Sequence, residues 1–337
     1  MKSYNINFHN VSELCLDKET GAYYLLRLPA SLEKYMSEQG KNMNRSSIGV
    51  ELRFKMLTDV IEITLYGKNE AGKCYVYFGS VQGEWFQSSF IIEKNKETIV
   101  KIKRPLNEDV ISKMNEEKES VYPSDMVRLV FDGTQIEFKS ITGSVAPYEI
   151  PKKIYLAYGS SITSNSITYI PNISYVNLLA RYLKMDLINV GSPGSCEIQK
   201  EIAEYICNYN YDIATIELGI NIIDHVSVQE YKKRCEYFLD EMIKNNKSAI
   251  FYITDVFSYF NTRCNVQDDK LSAYRETLRN ICFKYKKTNK VYYIPGDKLL
   301  KNTCNICADL VHPDIDGHLE IYSNLVEFIA KNEKKDK

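Results

Sequence analysis

Four short segments in the second half of the chain carry side chains that are suited to nucleophilic chemistry. They are GSSIT at 159–163, NVGSPGS at 189–195, ELGIN at 217–221 and ADLVHPD at 308–314. Between them they offer serine hydroxyls, glycine amides, an asparagine amide and an Asp/His pair. Acyl transfer through a serine ester needs these groups as a nucleophile, donors to an oxyanion, a base and an acid that orients the base.

Each segment also has an ordinary structural interpretation. A serine after a strand usually belongs to a turn or a helix cap, Asn221 could cap the next helix, and His312 could be a plain surface histidine. The GSPG glycines could form a simple turn or a degraded dinucleotide loop, but the full G-x-G-x-x-G pattern is absent, so no cofactor is predicted. CNIC at 304–307 has no second Cys pair at ligand spacing, so no metal site is predicted.

The elements around these segments alternate between short apolar strands and amphipathic helices. The predicted strands are KIYLAYG, LINV, IATIELG, SAIFYIT and VYYIPG. The predicted helices are SYVNLLARYLKM, EIQKEIAEYICNY, VQEYKKRCEYFLDEMIKNN, KLSAYRETLRNICFKYKK and DGHLEIYSNLVEFIAKN, the second with Ile198, Ile202, Tyr205 and Ile206 as one apolar stripe. This pattern predicts a three-layer α/β domain of flavodoxin-like type with a five-stranded parallel sheet over 149–337. All four segments follow its strands, at the edge where such sheets bind ligands.

The first half of the chain has the two-residue period of half-buried strands. TIVKIK at 98–103 and QIEFKSI at 135–141 place apolar side chains on alternate residues, and Asp132-Gly133 between two such runs predicts a hairpin. Further runs are GVELRFKM, VIEITLYG, KCYVYFGSV and EWFQSSFIIEK, whereas LNEDVISKMNEEKES at 106–120 predicts an exposed helix or loop. Residues 1–148 are therefore expected to form an antiparallel, jelly-roll-like β-sandwich.

The charge balance, the apolar runs and the cysteines of the chain indicate which partners and which location to expect. The 337 residues carry 43 Lys+Arg against 44 Asp+Glu, a formal net charge of −1, so neither a nucleic-acid nor a membrane partner is expected. The first residues lack the apolar core of a signal peptide, and no apolar run is long enough to span a bilayer. Nine scattered cysteines favour reduced thiols. We therefore expect a cytoplasmic location.

The four segments resemble sequence blocks of the SGNH (GDSL-type) hydrolases. GSSIT resembles block I, NVGSPG block II, ELGIN block III and DLVHP block V with its Asp-x-x-His. The resemblance covers residues 150–330 or so. The sequences of these blocks are most similar to those of a branch in which a β-sandwich precedes the hydrolase domain. This two-domain arrangement is similar to that of the family-2 carbohydrate acetyl esterases.

The resemblance implies a role for each of five residues. Ser161 would be the nucleophile, His312 the base and Asp309 the acid that orients it. The oxyanion hole would consist of the backbone N–H groups of Ser161 and Gly194 and the side-chain amide of Asn221. Two departures are Ser160, where the name-giving motif has Asp, and Ser164-Asn165, where relatives tend to have His-Gly and which are expected to line the acyl or alcohol pocket.

The expected function is hydrolysis of a short acyl ester, acetyl above all, of a sugar or polyol. The partner would therefore be a small-molecule or oligosaccharide acyl ester. Acyl transfer to a sugar, amine or other acceptor, and a non-catalytic carbohydrate-binding protein, are the alternatives. Trp85, the single tryptophan, and the many tyrosines of the first half could stack on sugar rings, but a position in the sandwich core is the favoured interpretation. The sequence leaves the oligomeric state open.

Overall fold

The structure, a computed structural model, describes residues 4–149, 151–164, 170–260, 268–286 and 290–333. The chain divides into two compact units. The first comprises Met1–Glu33, Lys41–Lys152 and Lys184–Asp186, and the second comprises Lys34–Gly40, Lys153–Leu183 and Leu187–Lys337. Each unit has its own sheets and its own core.

Two antiparallel sheets form the first unit. One contains β1 (Asn7–His9), β4 (Glu51–Met56), β6 (Gly72–Phe78), β7 (Val81–Gln82), β8 (Ser89–Ile92), β10 (Met126–Phe131) and β12 (Val145–Ala146). The other contains β2 (Glu13–Leu16), β3 (Tyr23–Leu26), β5 (Val60–Gly67), β9 (Glu97–Lys103) and β11 (Ile136–Thr142). Alternate residues of β5 and β6 are buried, and their inner faces share one apolar core, which is the expected β-sandwich.

The predicted hairpin at Asp132-Gly133 is wrong. β10 pairs with β4 and β6 in one sheet, whereas β11 pairs with β3 and β5 in the other, so this turn crosses between the sheets. Gly133 has a φ of +101°, and the Asp132 carboxylate accepts from the backbone N–H of Lys73 and of Thr134. An Asp-Gly pair, which is typical of hairpin turns, here stabilises a connection between two different sheets.

The charged segment at 106–120 in the first unit forms a helix. Helix α2 covers Glu108–Glu117, which confirms the helical alternative for 106–120.

Trp85, the tryptophan of the first unit, lies in the turn between β7 and β8 with 90% of its surface exposed, edge-on to Phe86. The favoured core interpretation is wrong for Trp85, because this turn leaves the sheet before β8 begins.

A buried ionic cluster stabilises the first unit. Asp186 accepts hydrogen bonds from both terminal guanidinium nitrogens of Arg53, at 2.7 and 2.8 Å, and from the Tyr122 hydroxyl at 3.0 Å. Arg53 also donates to Glu51, which receives two further bonds from Arg128. Two carboxylates thus face two guanidinium groups, which is the arrangement in which buried charges are tolerated.

A five-stranded sheet in the order β14-β13-β15-β16-β17 forms the centre of the second unit. The strands are β13 (Ile154–Tyr158), β14 (Asp186–Asn189), β15 (Ile213–Glu217), β16 (Ile250–Thr254) and β17 (Val291–Ile294). β15 pairs in parallel with β13 and β16, and β16 with β17. This order is that of flavodoxin-like sheets, and the predicted fold class is confirmed.

The described helices of the second unit are α3 (Ser161–Ser164), α4 (Tyr175–Leu183), α5 (Lys200–Ile206), α6 (Val228–Asn245), α7 (Asp269–Lys284), α8 (Gly296–Leu299) and α9 (Ile315–Glu333), with α1 (Glu38–Asn44) joining the two units in sequence. Five of them, α4, α5, α6, α7 and α9, lie on the predicted segments, and the short helices α3 and α8 were not predicted. Of the predicted stripe, Ile202 and Ile206 are buried on α5, whereas Ile198 is buried ahead of the helix with a φ of +58°. No helix within the described ranges is long and apolar enough to cross a membrane.

Candidate active site

The end of β13 is built to present Ser161. All five residues of β13 are buried, and Gly159 follows it. A Cβ atom on Gly159 would lie 2.3 Å from Thr163 Oγ1 and 2.6 Å from Glu217 Oε2, so only glycine fits there. Ser161 then begins α3, and the Ser160 hydroxyl accepts from the Ile162 backbone N–H at 3.2 Å. The chain therefore turns sharply from strand to helix at the serine.

The loop that carries Asp309 and His312 is fixed by its own backbone. Cys307 N–H donates to the His312 carbonyl at 2.8 Å, and Leu310 N–H donates to the Cys307 carbonyl at the same distance. Leu310 has a φ of +62°, a left-handed conformation that closes the turn. Cys307 of the CNIC motif thus acts here through its main chain. None of the eight cysteines that the structure describes forms a disulfide with another described cysteine.

Ser161, His312 and Asp309 form one hydrogen-bonded chain. His312 Nε2 lies 2.6 Å from Ser161 Oγ, and His312 Nδ1 lies 2.9 Å from Asp309 Oδ2. With the Nδ1 proton shared with the carboxylate, Nε2 is the acceptor for the serine hydroxyl. Ser161 is 7% exposed, so it is buried but not completely sealed from solvent. This geometry suits transfer of the Ser161 proton to His312.

The electrostatics of the Asp309 carboxyl favour its charged form. Partial burial would raise its pKa, but hydrogen bonds from the His312 and Val311 backbone amides and from the His312 ring outweigh that effect and lower it. Both amides donate to Oδ1 at 2.9 Å, which leaves Oδ2 to the ring. The acid is therefore held as an anion beside the imidazole.

Asn221 and Gly194 lie on the two loops where the sequence places them. Asn221 Oδ1 accepts from the Cys196 backbone N–H at 3.1 Å, which fixes the side chain by its oxygen and keeps the amide nitrogen as a donor. Gly194 has a φ of +64°, and Gln39 Nε2 donates to the neighbouring Pro193 carbonyl at 3.4 Å. The first contact ties the loop after β14 to the loop after β15, and the second ties Gln39 of the helix at Glu38–Asn44 to the loop after β14. The oxyanion role of both residues stays a prediction.

The expected pocket residues Ser164 and Asn165 are only partly described. Ser164 is buried, and its hydroxyl donates to the Ser161 carbonyl at 3.0 Å, so it braces the turn that holds the serine. Asn165 lies outside the described residues.

Two buried residues beside the site were missed in the sequence. Glu217 ends β15, and its Oε2 accepts from the Ser160 backbone N–H at 2.7 Å. Burial raises the pKa of Glu217, while hydrogen bonds from Ser160 and Thr163 oppose the rise. His318 of α9 is 1% exposed and stacks on Tyr175. A charged residue at the end of the apolar run IATIELG was a signal for Glu217, whereas His318 gave none.

A parallel α/β unit with a serine, a histidine and an aspartate in one hydrogen-bonded chain has the arrangement of a serine-dependent acyl-transfer enzyme. Residues 152–329 match the model of the GDSL-like lipase/acylhydrolase family. The chain therefore belongs to this family, which confirms the resemblance drawn from the four segments and supports a hydrolase or acyl-transfer activity. No group of three or more His, Cys, Asp or Glu side chains suited to a metal ion occurs in the described part of the chain.

Solved structures with the same two-part fold include three of different stated activity. The salicylyl-acyltransferase SsfX3 from a tetracycline biosynthetic pathway is 14% identical with a TM-score of 0.79, over 97% of this chain and 94% of that one. A GDSL-like lipase from Bacteroides ovatus is 17% identical with a TM-score of 0.67, over 98% of each chain. A family two carbohydrate esterase from Cellvibrio japonicus is 12% identical with a TM-score of 0.62, over 99% and 97%. No curated protein sequence matches. At these identities the likeness shows the fold.

Proposed function

We propose that the protein is a serine esterase that hydrolyses short-chain acyl esters, with acetyl esters of a carbohydrate or polyol as its substrates. The observation that carries the proposal is the continuous hydrogen-bond chain from Ser161 Oγ through the His312 ring to Asp309, with contacts of 2.6 and 2.9 Å. A serine that begins a helix after a buried strand does not need a hydrogen-bonded histidine and aspartate for its structure. Nucleophilic catalysis does need them.

The reaction proceeds through an acyl-enzyme. Ser161 Oγ attacks the ester carbonyl carbon as His312 Nε2 takes its proton, and Asp309 stabilises the resulting imidazolium. The oxyanion is bound by the amide of Asn221 and by the backbone N–H groups of Ser161 and Gly194. His312 then protonates the departing alcohol. Water, deprotonated by the same imidazole, hydrolyses the acyl-serine and releases the acid.

The choice of acyl and alcohol groups rests on the fold and on one surface feature. Family two carbohydrate esterases share the β-sandwich and the α/β unit with this chain. The first unit also exposes Trp85 and Phe86 on one turn, and an exposed indole beside a second ring suits stacking on a sugar. These observations support a carbohydrate ester over a long-chain lipid.

Acyl transfer is the second candidate. The likeness to the salicylyl-acyltransferase SsfX3 extends over both parts of the chain, and the same three residues would form the same acyl-enzyme. The two reactions differ only in whether water or another nucleophile accepts the acyl group. Assays with acetylated sugars, with and without added sugar or amine acceptors, distinguish them by the products.

The test of the chemistry is covalent labelling followed by turnover. A fluorophosphonate probe is expected to label the wild type and Ser160→Ala at position 161, and to leave Ser161→Ala unlabelled. On p-nitrophenyl esters, kcat/KM is expected to fall from acetate to octanoate, and acetylated sugars are expected to be hydrolysed. Labelling that persists in Ser161→Ala would refute the nucleophile. A rise toward octanoate without turnover of any acetylated sugar would refute the substrate class.

A further inference from the structure

One buried carboxyl beside the site has no part in the chemistry proposed above. Glu217 is the last residue of β15 and is 2% exposed, in a strand whose five residues are all buried. A carboxyl in such a position is costly unless it accepts hydrogen bonds. Its Oε1 has no hydrogen-bond partner among the described residues. Its Oε2, in contrast, accepts two hydrogen bonds.

All the described donors to Glu217 belong to the turn that carries Ser161. The Ser160 backbone N–H donates to Oε2 at 2.7 Å, and the Thr163 hydroxyl donates to it at 3.2 Å. These two residues flank the nucleophile on either side. Since Oε2 would lie only 2.6 Å from a Cβ on residue 159, Gly159 also makes room for this carboxyl. The turn is therefore built around Glu217.

The network continues to a second helix. Thr163 Oγ1 lies 2.8 Å from the Tyr175 hydroxyl, so when Thr163 donates to Glu217 its oxygen can accept from Tyr175. Both side chains are buried. A buried network of this kind favours one geometry, because breaking any of its hydrogen bonds leaves a further polar atom without its partner.

We infer that Glu217 is the positioning residue of the nucleophile: its carboxyl holds the Ser160–Thr163 turn so that the Ser161 hydroxyl meets His312. This inference rests on the proposed function. It also gives a reason for Ser160, where the name-giving motif has Asp. Ser160 lies against Glu217 through its backbone N–H, and an aspartate at 160 would place a second carboxyl near the first.

The test compares variants at Glu217 with a matched buried carboxyl. Glu217→Ala removes the acceptor, and we expect kcat on p-nitrophenyl acetate to fall about 10- to 100-fold with KM within about threefold, because a small misplacement of a nucleophile is enough for such a loss. Glu217→Gln keeps an acceptor oxygen and should stay within about threefold. The control is Asp255→Ala, since Asp255 is equally buried and accepts from the Gly296 N–H at 2.6 Å, on another loop.

The fluorophosphonate labelling rate of Ser161, per folded protein, separates the possible results. We expect it to fall with kcat in Glu217→Ala and to be unchanged in Asp255→Ala at a comparable loss of Tm. Unchanged labelling in Glu217→Ala, or an equal loss in Glu217→Gln, would overturn the inference alone, whereas an unlabelled wild type would overturn the proposed function.

A further pair of variants decides the matter if Glu217→Ala does not fold. Ser160→Asp is expected to cost more activity beside Glu217 than in the Glu217→Gln background. Equal losses in the two backgrounds would contradict the inference.

Discussion

His318 makes the stability of the second unit depend on pH in a way that can be measured. Its ring is 1% exposed, and the Tyr175 backbone N–H donates to its Nδ1 at 3.4 Å, which requires the neutral imidazole. Burial lowers the pKa of His318 from 6.5 to about 4, with Asp314 opposing the shift and His312 adding to it. The folded state therefore resists protonation that the unfolded chain accepts.

The sign and size of this pH effect on the free energy of unfolding follow from the linkage between protonation and folding. Above pH 6.5 the histidine is neutral in both states, and as the pH falls toward about 4 only the unfolded state takes up the proton, so folding is weakened. The full loss corresponds to about 3 kcal/mol, and about 2 kcal/mol of it is reached at pH 5. A buried histidine is thus expected to account for much of the destabilisation between neutral pH and mild acid.

The assay is urea unfolding at pH 8 and at pH 5, followed by far-UV circular dichroism, which the helices of the second unit dominate. His318→Asn keeps an acceptor but cannot take up the proton, so its free energy of unfolding should change between the two pH values by about 2 kcal/mol less than that of the wild type. The exposed His225 provides the control, and His225→Asn should behave as the wild type. The same pH dependence in the wild type and in His318→Asn would refute the reasoning.

Three further predictions concern the site and the buried charges. Asn221→Ala should lower kcat roughly 10²- to 10³-fold with little change in KM, since its hydrogen bond strengthens as the oxyanion forms; an effect on KM alone would contradict this in steady-state assays. Asp309→Ala should be the mildest loss of the triad, and complete inactivity with His312 intact would count against that ranking. Asp186→Asn should lower the free energy of unfolding by about 3–5 kcal/mol because it leaves buried Arg53 and Arg128 to share the single carboxylate of Glu51, whereas Lys101→Gln, in an exposed pair with Glu62, should cost about 1 kcal/mol or less in the same urea titration.

The parallel sheet was predictable because its strands are short and apolar and its helices carry one apolar face. The period of the pattern identifies such elements, and the βαβ connection then restricts their arrangement. Because a parallel sheet collects the carboxyl ends of its strands at one edge, the approach of Ser161 to the Asp309/His312 loop was predictable too. Distances among these side chains were not, since they depend on loops held by local backbone bonds such as Cys307 to His312.

The first unit shows where a local pattern gives too little information. Asp132-Gly133 has the composition of a hairpin turn. The pairing partner of each strand, however, depends on packing across the core between the two sheets, and β10 and β11 belong to different sheets. Glu217 was missed for a related reason. Its position reads as the polar end of a strand, and only the fold brings the Ser160 turn against it.

Trp85 determines how this protein can be followed by spectroscopy. A single indole that is 90% exposed in the folded chain gains little further contact with water when the chain unfolds, so tryptophan emission is expected to be a poor measure of denaturation. The same exposure makes the indole an intrinsic reporter for its own turn. A molecule that covers Trp85 removes it from water and shifts its emission to shorter wavelength, so sugar stacking on the first unit would be visible without any added label.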